Sequence, residues 1–207
     1  MCVVRRRFHC VEAGSRYPMP RNRQQIPREE RTEELLTAAT ELFLRRGYAG
    51  TTIADVSAAA GVAPANVYWY FPSKDDIFAA VMDRMLRRET RALDHELRDV
   101  DPLSALLRGL SDMRAFRSLH LAMHHRMQES DPVRESHDRF MTWIRSNVER
   151  LLDQNADVAD PAMVCDIVVA LFEGATVGSE TGMRPARDMI VFTLNTLLRE
   201  KTAVVES

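Results

Sequence analysis

The sequence predicts an all-α protein, and three observations point to that class. Apolar residues recur at helical spacing through most of the 207 residues. No segment alternates apolar and polar residues like a half-buried strand, and there are only eight glycines and nine prolines to punctuate a β fold. Three Asp-Pro steps, at Asp101, Asp131 and Asp160, place a capping side chain before a proline suited to the first turn of a helix.

The apolar pattern in the N-terminal third of the chain predicts two amphipathic helices first. The first begins after Pro27, carries acidic residues in its first turn, and stops at Gly47. Its apolar residues fall on one face of a 3.6-residue period: Leu35, Leu36, Ala39, Leu42 and Phe43. A second and shorter helix is predicted to start after Thr51, with Thr52 and Asp55 in its capping region, and to end at Gly61.

A third helix is predicted from Pro64 through Tyr70, and Ser73 is placed to cap a long fourth helix. The rest of the chain reads as further helices. They are predicted at about 103–110, at about 113–127, after Asp131-Pro132, after Asp160-Pro161 and after Pro185.

This pattern divides the chain into three parts. Residues 1–24 have no hydrophobic period and are rich in arginine, so we expect a flexible basic arm, or a misassigned start with Met19 as the alternative initiator. Residues 25–73 form the predicted three-helix unit. Residues 74–207 form a predicted second helical unit.

Composition restricts the class of protein further. Hydrophobic residues make up 45% and charged residues 28% of the chain, as in ordinary globular proteins. No stretch approaches the roughly 20 uncharged apolar residues of a spanning helix, so we expect no membrane partner. Three scattered cysteines give neither a disulfide framework nor a zinc spacing, which favours a cytoplasmic location.

Residues 52–70 have the spacing of a helix-turn-helix, with Gly61 in the turn. The second of these helices carries aromatic and amide side chains where a core would not need them. Tyr68 and Tyr70 can each offer a hydroxyl to a phosphate, and Asn66 can reach a base edge or a phosphate. The small residues 63–65 would let the start of this helix approach a groove closely.

An ordered series of residues carries a family resemblance. The segments 51–56, 60–62 and 67–77, read with Ala39–Gly50 of the first helix, resemble the DNA-binding domain of TetR-family transcriptional regulators. The resemblance is close over residues 28–75 and thereafter rests on the helical pattern alone. It implies an N-terminal helix-turn-helix domain followed by a C-terminal helical domain for ligand binding and dimerisation.

The resemblance also implies roles for individual residues. Thr51 and Thr52 match positions that usually touch phosphate, and Lys74 matches a basic residue that typically reaches the DNA backbone. Trp69 suits packing and DNA contact about equally. The candidate DNA-binding residues are therefore Thr51, Thr52, Ala63, Pro64, Ala65, Asn66, Tyr68, Trp69, Tyr70 and Lys74.

One departure from the family pattern stands at the head of the third helix. Relatives often carry a long polar side chain there, whereas this chain has Ala63-Pro64-Ala65. We therefore expect few hydrogen bonds to bases, with contacts to thymine methyls and DNA shape taking a larger share of the readout.

The resemblance implies a homodimer on a palindromic double-stranded DNA operator, because one helix-turn-helix reads too few base pairs to find a single site. Members of the family dimerise through their last two helices, which here are about 161–180 and 186–200. Small residues at Ala170, Gly174, Ala175 and Gly178 would allow close helix crossing, although packing within one subunit would use them equally well. Repression is the usual outcome in such proteins.

The resemblance further implies a small-molecule effector in the C-terminal helices, whose binding releases DNA by favouring an incompetent spacing of the two heads. The flexible methionines of these helices suit an apolar or aromatic molecule, although an ordinary hydrophobic core would have the same pattern. The candidate lining residues are Met113, Phe116, Leu119, His120, Met123, His124, Phe140, Trp143, Phe172 and Thr176.

One alternative keeps the same fold, and two belong to other classes of protein. His120 and His124 share a helix face and can chelate a metal, giving a metal-responsive regulator, but no carboxylate stands at a matching spacing and we expect no metal or other cofactor. A helical enzyme is the second alternative. The sequence has no GxSxG elbow, P-loop or dinucleotide fingerprint, so we expect no enzymatic activity. A purely structural helical protein would leave the exposed tyrosines without a purpose.

Overall fold

A computed structural model describes the parts of the chain that position the candidate sites. The described residues are 27–96, 114–153, 160–177, 184 and 186–199. Within these ranges the protein is all-helical, with no strand, which confirms the predicted class. The predicted basic arm and the predicted helix at 103–110 lie outside the described residues.

Eight helices occupy the described ranges. They are α1 (Arg28–Arg46), α2 (Ile53–Ala59), α3 (Pro64–Val67), α4 (Lys74–Glu96), α5 (Arg114–Arg126), α6 (Asp131–Asp153), α7 (Pro161–Val177) and α8 (Ala186–Arg199). None of these helices combines the length and the apolar character needed to cross a bilayer.

Helix α1 follows its local signals closely. It begins directly after Pro27, and its acidic first turn and basic last turn complement the helix dipole. Gly47 ends it with φ of 70°, and the Gly47 amide donates to the carbonyl of Phe43 at 2.9 Å. The buried face consists of Leu35, Leu36, Ala38, Ala39, Leu42 and Phe43.

Helix α3 is shorter than the sequence pattern predicted. The pattern ran through Tyr70, but the α-helix ends at Val67 and a tight turn follows. The amide of Tyr70 donates to the carbonyl of Val67, three residues back, at 3.0 Å. Proline at position 72 disfavours the α conformation of Phe71, so the chain tightens and turns before it.

Two of the capping predictions for the later helices are confirmed, and the one at Asp101 lies outside the described residues. The Ser73 hydroxyl accepts from the Asp76 amide at 3.2 Å and donates to its carboxylate at 2.6 Å. Asp160 accepts from the Met163 amide at 3.0 Å. The Asp-Pro step at 131 differs, because the first backbone bond of α6 is accepted by the carbonyl of Ser130, which puts Asp131 inside the helix.

Helix α4 joins the two predicted units. It packs against α1 on the N-terminal side and against α6 on the C-terminal side, and α5 contacts both α1 and α6. Helix α7 lies between α6 and α8. At the α1–α4 contact, Phe43 and Phe78 meet edge to face at 5.3 Å between ring centroids, and the Tyr48 ring lies 4.9 Å from Phe78.

Candidate DNA-binding surface and buried histidine cluster

The α2–α3 unit is held by local hydrogen bonds and one glycine. Thr52 and Asp55 form a capping box, in which the Asp55 amide donates to the Thr52 hydroxyl at 3.1 Å and the Thr52 amide donates to the Asp55 carboxylate at 2.9 Å. The Thr52 hydroxyl also donates to the Asp55 carboxylate, and the bonds that this carboxylate accepts from the Thr52 hydroxyl and amide lower the pKa of Asp55. Gly61 forms the turn at φ of 66°, a conformation that side chains disfavour.

The segment after this turn presents a continuous exposed surface. Residues 63–66 are all exposed, Tyr68 is 54% exposed and Trp69 is 80% exposed. The same segment is anchored from beneath by Val67 and Phe71, which are buried. Large aromatic side chains are rarely left in water at the end of a helix without a use. Packing and DNA contact were the two roles considered for Trp69, and its side chain does not pack inside the protein.

Arg28 adds a positive charge beside this surface. Its guanidinium carbon lies 5.9 Å from the centroid of the Tyr70 ring, and Tyr70 itself is half-buried. Sequence reasoning missed Arg28 because it stands at the start of α1, 42 positions from Tyr70. Only the packing of α1 against the helix-turn-helix brings the two side chains together.

Two of the residues expected to touch phosphate are engaged within the protein. Thr51 is fully buried, and its hydroxyl donates to the carbonyl of Gly47 at 2.9 Å. The ammonium of Lys74 donates to the carbonyls of Tyr48 and Thr51 at 2.9 and 3.0 Å, and burial lowers its pKa. The expectation for Thr51 is therefore wrong, because burial keeps its side chain from DNA. Lys74 instead holds the turn that follows α1.

A polar contact connects the N-terminal unit that contains the helix-turn-helix to the C-terminal helices. Arg126, the last residue of α5, donates to the two oxygens of the Asp75 carboxylate at 2.8 and 3.3 Å, and the Tyr48 hydroxyl donates to the same carboxylate. Burial acts to raise the pKa of Asp75, but bonds from Arg126 and Tyr48 outweigh it and lower that pKa below its usual value. Burial and the nearby Asp75 raise the pKa of Tyr48 to about 12.

The predicted effector-lining residues divide into three groups. Met113 lies outside the described residues, as do the side chains of Phe116 and Thr176. His124 and Trp143 are half-buried. The others are buried together between α5, α6 and α7: Leu119, His120, Met123, Phe140 and Phe172. Their placement brings them into one cluster, as a core or a ligand site would require.

The cluster holds a polar centre that the sequence reasoning did not assemble. His120 and His124 from α5 meet His137 from α6 and Glu173 from α7, and one donor atom from each lies within 4.8 Å of all the others. His124 Nε2 is 2.7 Å from Glu173 Oε2, while His120 Nε2 and His137 Nε2 are 3.6 and 3.7 Å from Glu173 Oε1. We call these four residues the histidine cluster.

Electrostatics in the histidine cluster follow from burial. Burial lowers the pKa of His120 to about 3, so its imidazole is neutral at pH 7. Burial acts in the opposite sense on Glu173, but the close approach of His124 and His137 outweighs it and lowers the pKa of Glu173 to about 2. The centre therefore contains a carboxylate that stays ionised among imidazoles.

No carboxylate stands at a matching spacing in the sequence, but the structure places Glu173 beside His120 and His124. Glu173 lies about 50 positions along the chain and arrives through the packing of α7 on α5 and α6. One signal in the sequence pointed to it: Glu173 is a lone charge in the apolar run 167–178. A single acid in such a run is costly to bury unless it meets a partner.

The helix-turn-helix, its exposed aromatic segment and the helical unit behind it define a class of bacterial regulator. Residues 35–81 match the family described as "Bacterial regulatory proteins, tetR family". This match to the TetR family covers the helix-turn-helix and the helices on either side of it.

Particular relatives agree with this assignment. The chain is 30% identical over 122 residues to the HTH-type transcriptional regulator TtgR of Pseudomonas putida, over 52% of this chain and 55% of TtgR. It is 37% identical over 73 residues to the HTH-type transcriptional activator FasR of Mycolicibacterium smegmatis, over 34% of this chain and 33% of FasR. The chain thus matches about half or less of the length of these relatives.

Solved structures share the fold over more of the chain. A TetR-family transcriptional regulator from Rhodococcus sp. superposes with a TM-score of 0.65 at 19% identity, covering 82% of this chain and 99% of that one. FadR of Thermus thermophilus, a TetR-family transcriptional repressor solved in complex with lauroyl-CoA, superposes with a TM-score of 0.60 at 20% identity, covering 82% and 94%.

Proposed function

We propose that this protein is a DNA-binding transcriptional repressor that acts as a homodimer on a palindromic operator and responds to a small effector. The observation that carries the proposal is the exposed segment containing Tyr68 and Trp69, held on the buried anchors Val67 and Phe71. A rigid base and an exposed, amphipathic tip are what a groove-reading element requires.

The distribution of charge supports phosphate-led binding at this face. Arg28 is exposed at the start of α1 and makes no ion pair among the described residues. Arg28 sits next to Tyr70 at the edge of the candidate surface. Since arginine neutralises phosphate directly and releases counterions, affinity should fall steeply as salt rises. Neutral side chains at 63–66 would then read thymine methyls and groove shape.

The last two helices support dimerisation through a second copy of the chain. Phe192 of α8 is 73% exposed and Met163 of α7 is 54% exposed. Ala170 and Gly174 are also exposed on α7, and a Cβ built on Gly174 would meet nothing within 4 Å. A face that combines large apolar side chains with small residues suits close crossing of partner helices.

The contact between Arg126 and Asp75 supplies a route from the effector site to DNA. Helix α5 carries effector candidates such as Leu119 and Met123 in its interior and Arg126 at its end. Asp75 is the second residue of α4, directly after the helix-turn-helix. A ligand that shifts α5 would therefore displace the DNA-facing unit, and it would release DNA only by preferring the displaced arrangement.

We expect this effector to be a small apolar or aromatic molecule that binds at the aromatic cluster formed by Phe140, Trp143 and Phe172. Phe140 and Phe172 lie 5.6 Å apart between ring centroids, and Phe140 stacks on Trp143 at 6.2 Å. A ligand-bound TetR-family structure of the same fold, FadR of Thermus thermophilus with lauroyl-CoA, supports a ligand-responsive role for such a helical unit.

Fluorescence anisotropy with labelled DNA flanking the protein's own gene tests the proposal. The full chain should bind one palindromic segment, and Tyr68→Ala should bind it about tenfold more weakly, since a lost groove contact costs about 1–3 kcal/mol. Leu44→Ala removes an exposed apolar side chain from α1 and is the matched control. Binding insensitive to salt, or equal loss in both variants, would contradict phosphate-led recognition by this surface.

A further inference from the structure

We propose that His120, His124, His137 and Glu173 form a binding site for one divalent transition-metal ion, of the class of Zn²⁺, Co²⁺ or Ni²⁺. The argument begins with distance. Tetrahedral Zn²⁺ with ligand bonds of about 2.0–2.1 Å places neighbouring ligand atoms about 3.3 Å apart. The cluster has separations of 2.7, 3.6 and 3.7 Å between Glu173 oxygens and the three imidazole nitrogens, which surround that value.

The donor set selects the kind of ion. Three imidazoles and one carboxylate are borderline ligands that suit Zn²⁺, Co²⁺ and Ni²⁺, whereas Ca²⁺ and Mg²⁺ require mostly oxygen. His120 and His124 are one helical turn apart on α5, the spacing at which two imidazoles chelate one ion. His137 and Glu173 complete the set from α6 and α7, so that the ion would bridge three helices.

Hydrogen bonding within the cluster leaves polar atoms that a cation would satisfy. Glu173 Oε1 and the Nε2 atoms of His124 and His137 are buried and have no well-aligned hydrogen bond among the described residues. His124 Nε2 approaches Glu173 closely, but as an ion-pair distance without hydrogen-bond alignment. Native structures seldom leave several buried polar atoms together in this state, and a bound metal ion removes the cost at once.

The surroundings favour tight binding and still allow entry. The His120 ring lies 5.2 Å from Phe140 and 5.3 Å from Phe172 between centroids, which closes one side with apolar groups. Apolar walls exclude water and strengthen the attraction between cation and carboxylate. On the other side Glu173 and His124 remain partly exposed, at 25% and 17% of their side chains, so an ion can reach the site from solvent.

Regulation by this ion rests on the proposed DNA-binding function. His124 and Arg126 are two residues apart on α5, and Arg126 binds Asp75 beside the helix-turn-helix. An ion that draws α5, α6 and α7 together would fix the position of Arg126. We therefore expect the metal to change the affinity for DNA. The metal site would overlap the polar part of the predicted effector-lining cluster.

Titration of the chelator-treated full chain with Co²⁺, followed by visible absorption and by calorimetry, tests the site. We expect one ion per chain, a tetrahedral Co²⁺ spectrum, displacement by Zn²⁺ and a rise in Tm with Zn²⁺. The chain carrying Cys2→Ser and Cys10→Ser should behave identically, which removes the N-terminal thiols as ligands. A chain that takes up no ion while folded would overturn the proposal.

Variants locate the ion within the cluster. Glu173→Gln and His137→Ala should each weaken binding by more than the roughly 10–100-fold caused by losing a group that only hydrogen-bonds to a ligand. His125→Ala is the matched control, since His125 is exposed on the same helix and should not change the affinity. Circular dichroism shows whether each variant is folded. Folded Glu173→Gln and His137→Ala chains that bind Co²⁺ like the parent would also overturn the proposal.

The effect of the metal on DNA affinity is measured separately from metal binding. Metal binding that leaves DNA affinity unchanged would end the regulatory part and keep the site. Absence of DNA binding under all conditions would end the proposed function, while the Co²⁺ titration would still decide the site on its own.

Discussion

Removing the ion pair between Arg126 and Asp75 should destabilise the fold measurably, because this pair is largely buried and bidentate. The Asp75 side chain is 16% exposed and that of Arg126 is 30% exposed. Two hydrogen bonds, at 2.8 and 3.3 Å, join charged groups. Hydrogen bonds to charged groups contribute about 1.5–3 kcal/mol, while exposed ion pairs contribute about 0–1 kcal/mol. We expect a coupling free energy of about 2 kcal/mol between Arg126 and Asp75.

The measurement is a double-mutant cycle of Arg126→Met and Asp75→Asn in urea unfolding. A coupling of about 2 kcal/mol corresponds to a Tm change of roughly 4–8 °C for a chain of this size. Arg145 and Asp166 form the matched control, because they meet at a similar distance of 2.7 Å but are mostly exposed. Their cycle should give a coupling close to the limit of measurement. Equal coupling in both cycles would refute the reasoning from burial.

The same pair predicts a dependence on pH with a definite sign. The pKa of Asp75 is lowered in the folded protein, so its contribution to stability is present above the unfolded value and is lost as the pH falls through the folded value. The parent should therefore lose stability below about pH 4 more steeply than Asp75→Asn. Parallel acid unfolding curves for the two proteins would show that Asp75 does not carry this effect.

Three further outcomes follow from exposure and backbone geometry. Trp69→Ala should weaken DNA binding about tenfold and leave Tm unchanged, because the side chain is 80% exposed; anisotropy and calorimetry measure the two effects. Phe192→Glu should convert the proposed dimer to a folded monomer in sedimentation, whereas a retained dimer would exclude α8 from the interface. Gly61→Ala should cost about 1 kcal/mol in urea unfolding through strain at φ of 66°, and an unchanged midpoint would remove that argument.

Sequence patterns predicted the helices well where the deciding signals are local. Helix α1 begins after Pro27 and ends at Gly47 as predicted, because the start and end of a helix depend on the backbone of a few neighbouring residues. The same holds for the cap at Ser73. The pattern overextended α3, because it gave too little weight to Pro72, which disfavours the α conformation of Phe71 and makes the chain turn before it.

The candidate sites show the same division. The sequence by itself predicted a helix-turn-helix over residues 52–70 that contains Tyr68 and Trp69, because the turn at Gly61 and the anchor at Val67 are set within ten residues. The burial of Thr51 depends on tertiary packing, and the apolar periodicity of the sequence did not indicate it.

Only the tertiary structure decided which charged and polar groups meet. Lys74 turns inward to two carbonyls, Arg126 reaches Asp75 across 51 positions, and Glu173 joins histidines from two other helices. A helical period shows which residues share a face of one helix, but not which face of another helix packs against it. The order of helices was therefore readable from the sequence, and their crossings, which create the polar centre, were not.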